Sequence, residues 1–254
     1  MNLLAFDTST ENLSIALTDG HAVWQHGGAG GAKASATLIP AVLALLAQAG
    51  LRLAELDAIA FGAGPGSFTG LRTACSVAQG LAFGARLPVL PIDTLLAVAE
   101  EARHQQGATH VVAVLDARMD EVYTGRYAWA DGHWQSVQSV QSVQGLQAAQ
   151  AQADFSLVRP EALDVPAGWT LAGNAMPVYG ARFAPRAQAV PDIFALPTAT
   201  AMLRLAPALL AAGGAVTASE ALPRYIRDKV AQTTAERLAI KQAVADAARI
   251  DGNG

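Results

Sequence analysis

The sequence predicts an α/β protein whose mixed sheets are flanked by helices and divided between two lobes. Two patterns carry this. Three short strands form a meander over residues 3–25, and helices then alternate with strands to about residue 103. After Gly107 a second series of strands starts afresh at Val111, which argues for a new lobe beginning near residue 100. The division that follows is a first lobe over residues 1–100, a second over 101–228 and a polar tail over 229–254.

In the first lobe, Leu3-Leu-Ala-Phe6 is apolar throughout, as a buried strand requires, and Asp7-Thr-Ser-Thr-Glu-Asn12 turns the chain. Leu13-Ser-Ile-Ala-Leu-Thr18 alternates as the returning strand. Asp19-Gly20 closes a hairpin onto Ala22-Val-Trp-Gln25. Gly27–Gly31 reads as a flexible linker, and Thr37–Ala49 as a helix with Pro40 tolerated in its first turn. Ala58-Ile-Ala-Phe61 is a buried strand. Three glycines and a proline within Gly62–Gly66 then enforce a tight turn with close backbone approach. Ser67 or Thr69 caps a helix running to about Phe83, followed by a strand over Leu87–Ile92 and a helix over Thr94–Arg103.

The second lobe offers strands at Val111–Leu115, at Glu121–Tyr127 and from Trp134 onward. Gln135–Gln144 repeats Gln-Ser-Val at a period of three, which suits neither strand nor helix, and reads as an irregular surface segment. Strand-like Trp169-Thr-Leu-Ala172 leads to a Gly173-Asn174 turn. Thr198–Ala212 is helical in composition, and Pro207 should kink or split it. Ala235–Ala248 reads as a loose terminal helix and Asp251–Gly254 as a disordered end.

Composition narrows the chemistry. With 52% hydrophobic and 15% charged residues and a net charge of −4, the 254-residue chain is globular and lacks a basic footprint for independent nucleic-acid binding. Cys75 is the single cysteine, so no internal disulfide forms, and its apolar helix makes it a structural thiol rather than a nucleophile. The N-terminus has no basic region before its short apolar stretch, and no run is long enough to span a bilayer. A soluble, cytoplasmic protein without membrane contact is expected.

Strand, glycine turn and helix over residues 58–83 is the layout of a phosphate-binding loop. Gly-x-Gly-x-Gly, however, is not a dinucleotide fingerprint, and no Lys-Ser/Thr follows to make a P-loop. Asp7, Thr8 and Ser9 offer hydroxyls and amides to a phosphate, and Asp7 a carboxylate to a magnesium ion through water. Taken alone, the same residues read first as an Asx or Ser/Thr turn that satisfies its own backbone. The helices are more informative. Gly70, Ala74, Ala78 and Ala82 form a stripe of small residues that a second helix could approach closely, and Leu38, Ile39, Val42, Leu43, Leu45 and Leu46 cover more than one face. Either these helices bury each other or they dock a partner.

Phe6-Asp-Thr-Ser-Thr10 with Leu13-Ser-Ile-Ala-Leu17, Gly64-Pro-Gly-Ser-Phe-Thr-Gly-Leu-Arg72, Asp116-Ala-Arg118 with Glu121-Val-Tyr123, and Pro223-Arg-Tyr-Ile-Arg227, in that order, resemble the TsaB (YeaZ) family of bacterial tRNA threonylcarbamoyladenosine proteins. The resemblance covers about residues 1–230 and implies the two-lobed actin-like ATPase (ribonuclease H-like) fold. It implies a non-catalytic scaffold and activator that dimerises with the transferase paralogue TsaD and is joined by the ATPase TsaE. ATP, ADP and metal then belong to the partner subunits, and tRNA is met through the complex. On this reading Leu38, Val42, Leu45, Leu46, Phe68, Arg72 and Cys75 or their neighbours face the transferase, and the chain forms a weak homodimer when alone.

The transferase paralogue holds its metal with two histidines four apart; by ungapped matching Thr94 and Val98 stand near those places here. A nucleotide site of this fold needs a glycine-rich second hairpin, where this chain has Asp116-Ala-Arg-Met-Asp120. Asp7, Thr8, Ser9 and Gly173 are therefore expected to be at most a vestigial nucleotide site. Asp116, Asp120 and Glu121 are expected to cap turns and pair with Arg118 or Arg126. The alternative is a nucleotide-hydrolysing enzyme of the same fold, which would lose ATP turnover on Asp7→Ala. A metallopeptidase and a direct tRNA binder using Arg182, Arg186, Arg204 and Arg224 are further rivals.

Overall fold

The computed structural model describes residues 1–137 and 155–226. The terminal helix at Ala235–Ala248, the end at Asp251–Gly254, the 229–254 tail and most of the Gln-Ser-Val segment lie outside the described residues. β1 (Leu3–Asp7), β2 (Asn12–Thr18) and β3 (Val23–Ala29) form the antiparallel meander. α1 (Ala34–Ala49) crosses to β4 (Ala58–Gly64), parallel to β1, and α2 (Phe68–Ala85) crosses to β5 (Val89–Asp93). The first sheet is ordered β3-β2-β1-β4-β5.

After α3 (Thr94–Gln106) the plan repeats. β6 (His110–Arg118) and β7 (Glu121–Ala130) pair antiparallel, and β8 (His133–Ser136) and β9 (Phe155–Val158) share the far edge of β7. β10 (Thr170–Gly173) returns parallel to β6. The short helices α4 (Met176–Tyr179) and α5 (Pro185–Gln188) precede β11 (Asp192–Phe194), which is parallel to β10. The order β11-β10-β6-β7-β8 mirrors that of the first sheet: three antiparallel strands, then two parallel additions. α6 (Ala199–Ala211) closes the series.

Strands buried on both faces require cover on both faces, which makes the molecule a stack of layers. α1 and α2 lie on one face of the first sheet, over Leu4, Phe6, Ile15, Leu17, Ile59 and Phe61. The opposite face, carrying Leu3, Ala5, Ala60, Leu90 and Ile92, packs on α6. α3 lies beside α6 and turns Leu95, Val98, Ala99 and Ala102 to the second sheet. α4 and α5 cover the outer face of that sheet at Val112, Val114 and Leu171. The helix that ends the second strand series thus completes the core of the first.

Several expectations need correction. Gly27 and Gly28 belong to β3, paired with Ser14 and Leu13, because an edge ladder needs only backbone groups. α1 starts at Ala34, which puts Pro40 inside the helix rather than in its first turn. α6 runs unbroken through Pro207, since Met202, Leu203, Leu205 and Ala206 hold it in the interior and outweigh one lost hydrogen bond. Ser67, not Thr69, caps α2, its hydroxyl accepting from the Gly70 amide. The small-residue stripe on α2 faces inward: Gly70, Ala74, Ala78 and Ala82 are buried, and a Cβ at Gly70 would overlap the Thr8 carbonyl oxygen. The stripe lets the helix lie close on its own sheet.

Candidate partner surface and inter-lobe cleft

The two turns that the sequence offers to a nucleotide grip each other. At the end of β1, Thr8 Oγ1 donates to the Gly70 carbonyl at 2.6 Å, and the Ser67 amide donates to the Ser9 carbonyl at 2.7 Å. Asp7 Oδ1 accepts from the Ser9 amide at 3.0 Å and from Ser9 Oγ at 2.8 Å. Asp7 Oδ2 is buried and without a hydrogen-bond partner among the described residues; a Cβ on neighbouring Gly62 would displace it. Burial, only partly offset by the Ser9 bonds, pushes the Asp7 carboxyl up to about 7. The Asp7 side chain is buried, and its Oδ1 makes the Asx turn that was one of the two readings of this segment. Thr8 is likewise fully buried, and of the three only Ser9 lines the cleft.

The cleft between the lobes has a volume of about 320 Å³. Ser9, Gly66, Ser67 and Phe68 form its wall on the first lobe, and Asp116, Arg118, Met119, Tyr123 and Asn174 that on the second. In the β6–β7 hairpin Arg118, Met119 and Asp120 are all left-handed, with φ of 60°, 56° and 60°, a strained run for side-chain-bearing residues. Pairing holds it: Arg118 bridges Asp116 at 2.9 Å and Glu11 across the cleft, and Asp120 pairs with Arg182 at 2.6 Å. Asp116 also accepts from Tyr179 Oη at 3.0 Å. Arg126 pairs instead with Asp164. These carboxylates work as turn supports. Gly173 is set by packing, because its φ of 147° and the adjacent Val114 carbonyl leave no room for a Cβ.

Thr94 and Val98 are both buried; Thr94 Oγ1 bonds the Pro65 carbonyl and Val98 packs on the second sheet. Among the described residues no three His, Cys, Asp or Glu side chains gather to hold a metal. No helix among them is long and apolar enough to cross a membrane.

The partner-facing set changes most. Leu38, Val42, Leu45, Leu46 and Cys75 are buried in the first-lobe core and present nothing outward, and burial raises the Cys75 thiol above its ordinary value. α1 and α2 do bury each other over the sheet. Their outward faces nevertheless carry Ile39 (40% exposed), Leu43 (54%) and Phe83 (83%). Across the 16 residues of α1 and the 18 of α2 the sole charged side chain is Arg72. The outer face of the two helices is therefore exposed, apolar and poor in charge.

Beyond α6 the chain crosses back over the first lobe as a strap. Val216 bridges to Val89, the Ala221 carbonyl accepts from Cys75 Sγ at 3.3 Å and Gln79 Nε2 at 2.9 Å, and the Arg224 amide donates to Ala63. Tyr225 then packs on Phe68, with ring centroids 5.1 Å apart, and accepts from Arg72 Nε at 3.1 Å. Leu222 and Tyr225 are exposed beside α2. Sequence reasoning noted Pro223-Arg-Tyr-Ile-Arg227, of which Arg227 lies outside the described residues, but had no means of seating Tyr225 on α2; it also missed Ile39, Leu43 and Phe83 as the outward members of their helices.

Two mixed sheets of the same strand topology, with a cleft between them, are the arrangement of the actin-like (ribonuclease H-like) fold. A family model described as "TsaD: tRNA N6-adenosine threonylcarbamoyltransferase" matches residues 31–245. The tRNA threonylcarbamoyladenosine biosynthesis protein TsaB of Escherichia coli is 33% identical over 91% of this chain and 96% of its own length. That of Haemophilus influenzae is 36% identical over 91% and 95%. The chain belongs to the TsaB family. The solved structure of YeaZ from Pseudomonas aeruginosa, 39% identical, superposes with a TM-score of 0.77 over 89% of this chain and 99% of that one.

Proposed function

We propose that this chain serves tRNA threonylcarbamoyladenosine biosynthesis as a non-catalytic scaffold and activator, docking the transferase paralogue TsaD through the outer face of α1 and α2. The observation that carries it is the near absence of charge on that face, with Ile39, Leu43 and Phe83 exposed. The match of a transferase family model to residues 31–245 supports a partner of the same fold, able to present equivalent helices in a pseudo-symmetric pair. Such a pairing buries ~800 Å² per partner. The ATPase TsaE joins the pair, the nucleotide and metal chemistry belongs to the partner subunits, and the assembly works in the cytoplasm. Without its partner the same face forms a weak homodimer. The paired carboxylates of the β6–β7 hairpin and the sealed Asp7 favour this reading over a nucleotide-hydrolysing enzyme.

The test is threonylcarbamoyl transfer to tRNA by the partner subunits, with and without this chain. We expect no transfer and no ATP turnover by the chain alone, and stimulated transfer when it is added. Leu43→Glu, on the exposed side of α1, should leave the chain folded and abolish both co-elution with TsaD and stimulation. ATP hydrolysis by the chain alone would reverse the assignment.

A further inference from the structure

We infer that Arg72 is a preorganised receptor for a carboxylate on the partner protein, the one ionic contact within an otherwise apolar interface. This rests on the reading above that the outer face of α1 and α2 docks a partner. The Arg72 guanidinium lies 3.8 Å above the Phe68 ring, and its Nε donates to Tyr225 Oη at 3.1 Å. Tyr225 in turn packs on Phe68. These contacts engage one flat face and one N–H of the group. Among the described residues no carboxylate pairs with Arg72, whereas Arg103, Arg118, Arg126, Arg182 and Arg204 each hold one.

A guanidinium fixed by stacking and by one hydrogen bond has already lost most of its rotamer freedom. Its remaining N–H groups form a fork matched to a carboxylate, so little further ordering is needed when one arrives. Its position makes the pairing necessary. Arg72, Ser76, Gly80 and Phe83 follow one another at helical spacing along the exposed stripe of α2. Covering that stripe removes water from Arg72, and an unpaired charge buried in an apolar contact is strongly disfavoured. The partner must therefore supply the opposite charge. A nucleic-acid backbone is disfavoured as its source, because phosphate tracking needs a series of cations and these two helices supply one.

The full chain is titrated with the transferase paralogue in low and high salt, as wild type, Arg72→Met, Arg72→Lys, Arg72→Glu and Leu43→Glu. Melting temperatures confirm that each variant is folded. Arg72→Met should weaken binding about 30-fold or more and flatten its salt dependence. Arg72→Lys, which keeps the charge but not the stacked fork, should recover only part of the affinity. Arg72→Glu should be rescued by reversing the charge of one acidic residue on the partner's docking face. Wild-type affinity in Arg72→Met, with Leu43→Glu unable to bind, would overturn the carboxylate receptor and leave the docking face intact. Wild-type binding by Leu43→Glu would instead remove the docking face itself. Unchanged partner affinity in Arg72→Met, with loss of tRNA retention by the assembled complex, would reassign the group to a phosphate and also overturn the inference.

Discussion

Asp7 shows how a residue type drawn from a phosphate-binding pattern acquires another role through burial. Its Oδ1 holds the Ser9 turn, and its Oδ2 has no hydrogen-bond partner among the described residues. Because the folded carboxyl titrates near 7 against an ordinary 3.8, the native state keeps a proton that the unfolded chain releases. This contribution to stability is full below about pH 4, falls as pH rises towards 7 and is absent above. Asp93, which caps α3 and accepts from Tyr127 Oη at 2.9 Å, is raised by burial to about 6 and acts in the same direction. Asp7→Asn keeps an acceptor for Ser9 and removes the titration. We expect its stability relative to wild type to rise with pH by up to about 1.4 kcal/mol per unit between pH 4 and 7, in urea melts. A difference independent of pH would mean that Asp7 is ionised in the folded protein.

At the scale of elements, α2 is held close to β1 by its glycine and alanines, and the closeness can be tested. Gly70→Ala places a methyl group on the Thr8 carbonyl and should destabilise by about 1–3 kcal/mol through a forced shift of the helix. Gly80→Ala, in open space on the same helix, should be neutral or stabilising by up to about 1 kcal/mol. Equal effects in chemical denaturation would remove the close-packing account of the stripe. The pair also shows what sequence reveals here. The strands along the chain, the glycine turn and the helices were legible because apolar periodicity and punctuation are local properties. The face of α1 or α2 that meets the sheet was not, since Leu38 and Leu43 are alike in composition and only the sheet decides which is buried. The strap was illegible for a similar reason: Tyr225 meets Arg72 across 153 positions of sequence, and no local pattern encodes that contact.

For the whole molecule, the decisive feature is the central layer, where α3 serves the second sheet and α6 the first. The two helices are joined by ion pairs around Glu100, which is buried and accepts from Arg103, from Arg204 Nε at 2.8 Å and from Trp134 Nε1 at 3.0 Å. Arg204 also pairs with Glu101 at 2.8 Å. Burial works against an ionised Glu100, and the combined donors outweigh it, holding its carboxyl below the ordinary value. An element shared by two sheets ties their stabilities together. Glu100→Gln keeps the shape and removes the charge that both arginines need, so it should cost about 2–4 kcal/mol, within the range for a broken buried pair whose partners are partly solvated. The loss should reach both lobes. Native-state hydrogen exchange should show the slowest amides of β1 and β4 and those of β6 and β10 losing protection by the same factor, as one cooperative unit does. Loss confined to the strands of one sheet would show instead that the lobes unfold separately and that the central layer only joins them.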